Sequence, residues 1–295
     1  MGTYAVTGSA SGMGKAAADK LRAAGHGVIG VDVQEAEVVA DLATPQGRRA
    51  AARQVLEAAG GHLDGAVLAA GVGPTAGPGR VPMIAQVNYF GVVQLLEAWR
   101  PALAAADKAK VVVFASNSTS TTPLVPRRAV RAFLADAPER AVRAVRFFGK
   151  LAPTMIYAAS KTALSHWVRR RAVHPDWAGA GIRLNALAPG AIMTPLLERQ
   201  LTGAAQSTVV KSYPLPIGEF GNASHIGDWV LFMLSEAADF QVGSIVYVDG
   251  GSDAYFRPDS WPQPVRLPGL AGYLGRMVSF AARRFRSRRG ATTSE

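Results

Sequence analysis

The chain has 295 residues, 49% of them hydrophobic and 18% charged, which suits one large folded domain and excludes a disordered chain. It has no cysteine, so disulfides, thiolate metal sites and cysteine nucleophiles are excluded, and a reducing compartment is consistent. The net charge of +11 is concentrated: residues 127–150 carry an excess of five positive charges, residues 257–295 an excess of six, and the rest is close to neutral. That is not the evenly basic surface of a nucleic-acid-binding domain, so no nucleic-acid partner is expected.

In chain order, Tyr4–Thr7 reads as a strand and Gly14–Ala24 as a helix. Gly27–Val33 is a strand, Thr44–Ala59 a helix, Asp64–Ala70 a strand, Ile84–Leu103 a long helix and Lys110–Ala115 a strand. Helix Ile156–Arg171, strand Gly181–Ala188, helix Ala223–Leu234 and strand Ser244–Val248 follow. Short apolar strands alternating with helices indicate a parallel sheet covered on both faces, the doubly wound α/β (Rossmann) architecture. Residues 1–256 form this domain, interrupted by an insertion over about 118–153. Within it, Arg128–Phe148 has an amphipathic helical pattern among arginines. A proline-rich and then basic tail fills 257–295 and ends in a short helix-like piece from Leu270 to Phe285. No apolar run approaches the roughly 20 residues of a membrane span, and no N-terminal signal is visible, so a cytoplasmic location is expected.

The first strand leads into Thr7-Gly8-Ser9-Ala10-Ser11-Gly12-Met13-Gly14. Gly8, Gly12 and Gly14 permit a tight turn, backbone approach to a pyrophosphate and close helix packing, while Ser11 and Met13 lie at the helix N-terminus that faces the phosphates. Asp32 stands 18 residues beyond Gly14, at the end of the second strand. A carboxylate there accepts from ribose hydroxyls and repels a 2′-phosphate, and Val33 and Gln34, not arginine, follow it; NAD is expected over NADP. Asp41 and Leu42 are placed to hold the adenine, with Asp41 accepting from its amino group. Downstream, Tyr157 and Lys161 stand at i and i+4 on one helix face. An ammonium about 4 Å from a phenol is worth roughly 4 kcal/mol at an effective dielectric near 20, enough to bring the phenol toward neutral pH as a general acid/base.

This combination resembles the short-chain dehydrogenase/reductase family over about residues 3–256, including Val248-Asp249-Gly250-Gly251. The resemblance implies that Ala70 and Gly71, in Ala69-Ala70-Gly71, close the adenine side, although Ala69 replaces the usual asparagine. It implies that Asn88 holds a water in a proton relay, and that Ser116, with Ser118 as runner-up, hydrogen-bonds the substrate oxygen. Pro189, Gly190, Ile192 and Thr194 match the loop over the nicotinamide, where the threonine contacts the carboxamide. The separation of 41 positions between Ser116 and Tyr157 exceeds the usual one. With stretches such as Ala36–Leu42 and Val87–Gly91, it looks like the bacterial 3α-hydroxysteroid dehydrogenase/carbonyl reductase branch. There the insertion helps to build a dimer interface.

The resemblance therefore implies an NAD-dependent enzyme interconverting a secondary alcohol and a ketone on a steroid-like or other bulky apolar compound, in a homo-oligomer, dimer or tetramer. Pro195-Leu196-Leu197, Leu201 and Val209–Pro216 could cover such a ligand. The alternatives are another bulky alcohol, such as a terpene or acyl-chain hydroxyl, an NAD-binding scaffold with little turnover, and a membrane-associated interaction protein. The basic tail is a candidate for weak contact with an anionic membrane surface, which would make the protein peripheral there.

Overall fold

In the computed structural model, residues 1–195, 197–198, 213–260 and 270–291 are described. The chain forms two compact units, Met1–Phe256 and Arg257–Glu295.

The first unit alternates as the apolar pattern requires. It begins β1 (Thr3–Thr7), α1 (Gly12–Ala23), β2 (Gly27–Asp32), β3 (Val38–Val39), α2 (Pro45–Ala58) and β4 (Gly65–Leu68). Next comes a long rod made of α3 (Arg80–Ala85), a π-helical turn Gln86–Gly91 and α4 (Val92–Ala104), followed by β5 (Lys110–Phe114). The insertion contributes α5 (Ser118–Thr121), α6 (Arg127–Leu134), α7 (Pro138–Arg143) and a 3₁₀ turn Arg146–Leu151, which runs into α8 (Ala152–Arg171). The unit closes with β6 (Arg183–Pro189), β7 (Ile192–Met193), β8 (Gly221–Asn222), α9 (Ala223–Leu234), β9 (Ile245–Val248) and α10 (Ser252–Phe256).

Seven strands make one parallel sheet in the order β3-β2-β1-β4-β5-β6-β9; β7 and β8 pair separately, also in parallel. The chain leaves β1 for β2 on one side and returns to β4 on the other. β1 is therefore the switch point, and a crevice opens beyond its carboxyl end. Thr7 is in register with Val31 on one neighbour and with Leu68 on the other, which aligns the carboxyl ends that carry the site.

Side chains from opposite faces of the strands feed two cores. Ala66, Leu68, Val111 and Val113 face α2, α4 and α8, whereas Val6, Val67, Val112 and Leu187 face α1 and α9. Thr44 caps α2, its Oγ1 accepting from the Gly47 N–H at 2.9 Å.

Three differences from the sequence reading have local causes. The single amphipathic helix expected over Arg128–Phe148 is two helices. Pro138 cannot donate within a continuing helix and instead starts α7, so the break falls at 135–137. The long helix begins at Arg80, not Ile84, and contains the π turn around Asn88. In the second unit, the expected short helical piece is a 22-residue helix, α11 (Leu270–Ala291).

Candidate active site

The crevice beyond β1 is a cavity of about 560 Å³. Its floor is the glycine loop. Gly8 donates its N–H to the Val31 carbonyl at 2.8 Å and has φ +73°, and a Cβ on it would come within 2.8 Å of the Ala70 nitrogen. A Cβ on Gly14 would stand 2.2 Å from the Gly8 carbonyl oxygen, so α1 meets the loop closely only because this residue has no side chain. Ser11 occupies the N-cap of α1 but makes no side-chain capping bond, and no acidic residue lies in the first turn. The helix therefore presents uncapped N–H groups and the positive end of its dipole to the cavity, as an anion requires.

Asp32 lies on the rim. Its Oδ2 accepts from the Ala10 N–H at 3.0 Å and its Oδ1 from the Val33 N–H at 2.7 Å, which ties the glycine loop to the end of β2. Asp41 and Leu42 line the cavity further along. Asp41 accepts from the Ala43 N–H at 2.9 Å, and the buried Arg48 donates to the Leu42 carbonyl at 2.8 Å. Where the resemblance led us to expect an asparagine, Ala69 leaves the next residue to be held otherwise: Thr7 Oγ1 accepts from the Ala70 N–H at 3.1 Å. Thr194 stands across the cavity from Gly12, its Cγ2 3.5 Å from where a Cβ there would lie. These residues fit a dinucleotide: donors for a pyrophosphate, a carboxylate for a ribose and a slot kept open by glycines.

Gly8, Ser11, Gly12, Met13, Gly14, Asp32, Asp41, Leu42, Ala70, Gly71 and Thr194 all line this cavity. Pro189, Gly190 and Ile192 do not, and have structural partners instead. The Pro189 carbonyl accepts from the Asn117 N–H and Gly190 donates to the Val248 carbonyl, while Ile192 is buried. Sequence reasoning missed Met83 and Val87, which line the cavity from α3 and the π turn. Their spacing of four, ending one residue before Asn88, could have revealed them.

Two of the expected groups, Asn88 and Lys161, meet at Gly71–Val72. Asn88, fully buried in the π turn, clamps Val72 with both ends of its amide: Oδ1 accepts from the Val72 N–H at 2.7 Å and Nδ2 donates to the Val72 carbonyl at 2.9 Å. A Cβ on Gly71 would lie 3.6 Å from Asn88 Oδ1 and 3.9 Å from Lys161 Nζ. Lys161 is buried and donates to the Phe114 carbonyl at 2.6 Å. Ser116, at the carboxyl end of β5, is also buried and hydrogen-bonds the Tyr157 phenol. Ser118 has no such bond, and among the described residues its buried hydroxyl has no hydrogen-bond partner.

The electrostatics correct one expectation. Burial pushes the Tyr157 phenol above its ordinary value, and the hydrogen bond from Ser116 only partly opposes this. Lys161 does not bring it down. Desolvation lowers the lysine itself to about 8, and its ammonium is directed at a backbone carbonyl. The argument from spacing omitted the cost of burying both groups.

Of the apolar residues expected over the substrate, Leu196, Leu201 and 209–212 lie outside the described residues. The segment after them is anchored. Tyr213 OH accepts from Asn117 Nδ2 at 3.2 Å, Ser252 Oγ donates to the Pro214 carbonyl at 2.7 Å, and Pro216 and Ile217 pack on Gly251 and Gly250.

A family profile described as Enoyl-(Acyl carrier protein) reductase matches residues 141–253. Over 258 residues the chain is 36% identical to a 3-alpha-hydroxysteroid dehydrogenase/carbonyl reductase of Comamonas testosteroni, covering 88% of this chain and 99% of that one. It is 30% identical over 266 residues to a 2,5-dichloro-2,5-cyclohexadiene-1,4-diol dehydrogenase of Sphingobium indicum, covering 85% and 97%. Among solved structures, a 3-alpha-hydroxysteroid dehydrogenase from Pseudomonas sp. B-0831 complexed with NADH superposes with a TM-score of 0.82 at 38% identity, covering 88% of this chain and all of that one.

Proposed function

Because the chain belongs to the short-chain dehydrogenase/reductase family, we propose that it interconverts a secondary alcohol and a ketone on a hydroxysteroid or similarly bulky apolar compound. It is an oxidoreductase of alcohols or carbonyls that uses NAD. The observation that carries the reading is the Ser116–Tyr157 hydrogen bond, with Lys161 Nζ beside Gly71, a residue that lines the cavity whose rim holds Asp32.

The N-terminal N–H groups of α1 and the glycine loop would hold the pyrophosphate, Asp32 the adenosine ribose, and Thr194 the carboxamide end. NAD, when bound, supplies the acceptor and donor of the hydride. The protein's own groups manage the proton and the substrate oxygen. Tyr157 takes the hydroxyl proton during oxidation and returns it during reduction. Ser116 directs its hydroxyl at the same oxygen and stabilises the charge that develops there. Lys161, held by the Phe114 carbonyl, sets its ammonium beside Gly71 on the cavity wall. Asn88 fixes Gly71–Val72 and with them the wall against which these groups are set.

The substrate class rests on the similarity to the two 3-alpha-hydroxysteroid dehydrogenases named above and on the apolar residues Leu197 and Leu215–Ile217. NAD reduction followed optically across hydroxysteroids and non-steroid secondary alcohols, with NADP in parallel, tests it. Turnover of a hydroxysteroid with NAD supports the reading; turnover confined to small polar alcohols overturns the substrate class. Tyr157→Phe should lower kcat by about 10²–10⁴-fold while leaving NAD affinity intact.

A further inference from the structure

We propose that the basic insertion docks the protein on an anionic lipid surface, through the arginines of α6 and α7 and the turn Arg146–Leu151. The insertion has two contrasting sides. Ala129, Val130, Phe133, Ala141 and Val145 are buried against the body, whereas Arg127, Arg128, Arg131, Arg140, Arg143 and Arg146 are exposed. Several surface cations elsewhere have carboxylate partners: Lys20 meets Asp228 at 2.6 Å, Arg22 meets Glu37 at 2.7 Å and Arg171 meets Glu97 at 3.2 Å. Among the described residues, none of the six insertion arginines, nor Lys150, has an ion pair. Residues 127–150 hold two acids, Asp136 and Glu139, against seven cations, so the segment keeps a positive excess.

The second observation is apolar. Phe147 is 78% exposed and Leu151 57% exposed, at the two ends of a turn that also carries Arg146 and Lys150. Phe147 stacks on Phe148 with ring centroids 4.1 Å apart, and Gly149 turns the chain with φ +54°. Cations beside projecting apolar side chains match the boundary between anionic headgroups and acyl chains. A second copy of this chain fits the face less well, because a two-fold contact sets one patch of like charge against itself. A nucleic acid would engage the arginines but leave Leu151 and the 86% exposed Leu124 in water.

The test is co-sedimentation of the full chain with vesicles of equal parts phosphatidylcholine and phosphatidylglycerol, and with phosphatidylcholine alone. Binding to the mixed vesicles only, weakened by salt, is expected. The triple variant Arg140→Gln, Arg143→Gln, Arg146→Gln should bind about a hundredfold less, at on the order of fivefold per arginine removed. Phe147→Ser should bind less without any change in charge. An unchanged melting temperature in each variant establishes that the fold is intact. Arg283→Gln, Arg284→Gln, Arg286→Gln in the tail, also basic, should leave most of the binding. The proposal is overturned if the parent chain ignores the mixed vesicles, or if the tail variant loses binding while the insertion variants keep it. Phe147→Ser altering only the oligomeric state, or the parent preferring a single-stranded oligonucleotide to the vesicles, would overturn it as well.

Discussion

At the scale of single residues, the site holds two groups whose burial opposes their charge. Lys161 titrates near 8 in the folded protein, well below its unfolded value of 10.5. Between these values the unfolded chain binds more protons, so stability rises with pH across that window. Below pH 8 the folded protein carries the whole cost of a buried ammonium. Lys161→Met should therefore raise the melting temperature at pH 7 without nucleotide and flatten the rise between pH 8 and 10.5. It should also abolish most turnover; thermal melts at several pH values, paired with assays, check both. Asp32 offers a second contrast. Its carboxylate is expected to receive two ribose hydroxyls, and hydrogen bonds to charged groups are worth about 1.5–3 kcal/mol. Asp32→Ala should thus lower kcat/KM for NAD by about 10- to 100-fold and narrow the preference over NADP, in parallel titrations of the two cofactors.

Among the elements, the insertion and the π turn are coupled through aromatic rings. Phe133 of α6 is fully buried, with its ring centroid 5.1 Å from that of Tyr89 and 5.8 Å from that of Phe90, the two residues after Asn88. Phe133→Ala should destabilise the protein by about 3–5 kcal/mol and lower kcat, because the cavity opens beside the turn that clamps Val72. Denaturant unfolding and steady-state kinetics on one preparation would show both effects. The π turn was not legible in the sequence, since Ile84–Leu103 has an unbroken helical pattern and the switch to wider hydrogen bonding depends on tertiary packing. The start of α7 was legible in principle, because Pro138 marks it, but the apolar period across the break obscured it. The glycine loop, Asp32, Tyr157 and Lys161 were legible because each has a fixed offset from a strand or helix end. The upward shift of Tyr157 was not, because spacing carries charge proximity but not desolvation.

For the molecule as a whole, the sheet order places the chemistry at the one point where the chain changes direction, and it also sets a timetable for synthesis. β1, β2, β4 and β5 are complete once Phe114 has been made. The next partner of β5 is β6, which starts at Arg183, so residues 115–182 must be made first. At about 5–20 residues per second this takes roughly 3–14 seconds, and the insertion accounts for a good part of it. Through that interval the strand Lys110-Val111-Val112-Val113-Phe114 has one edge without its neighbour. An apolar β-branched edge of this kind pairs readily with another chain. The nascent chain is thus most exposed to aggregation while its insertion is being made, and overexpression should favour soluble protein when initiation is infrequent enough, or chaperone supply high enough, to keep neighbouring nascent chains apart.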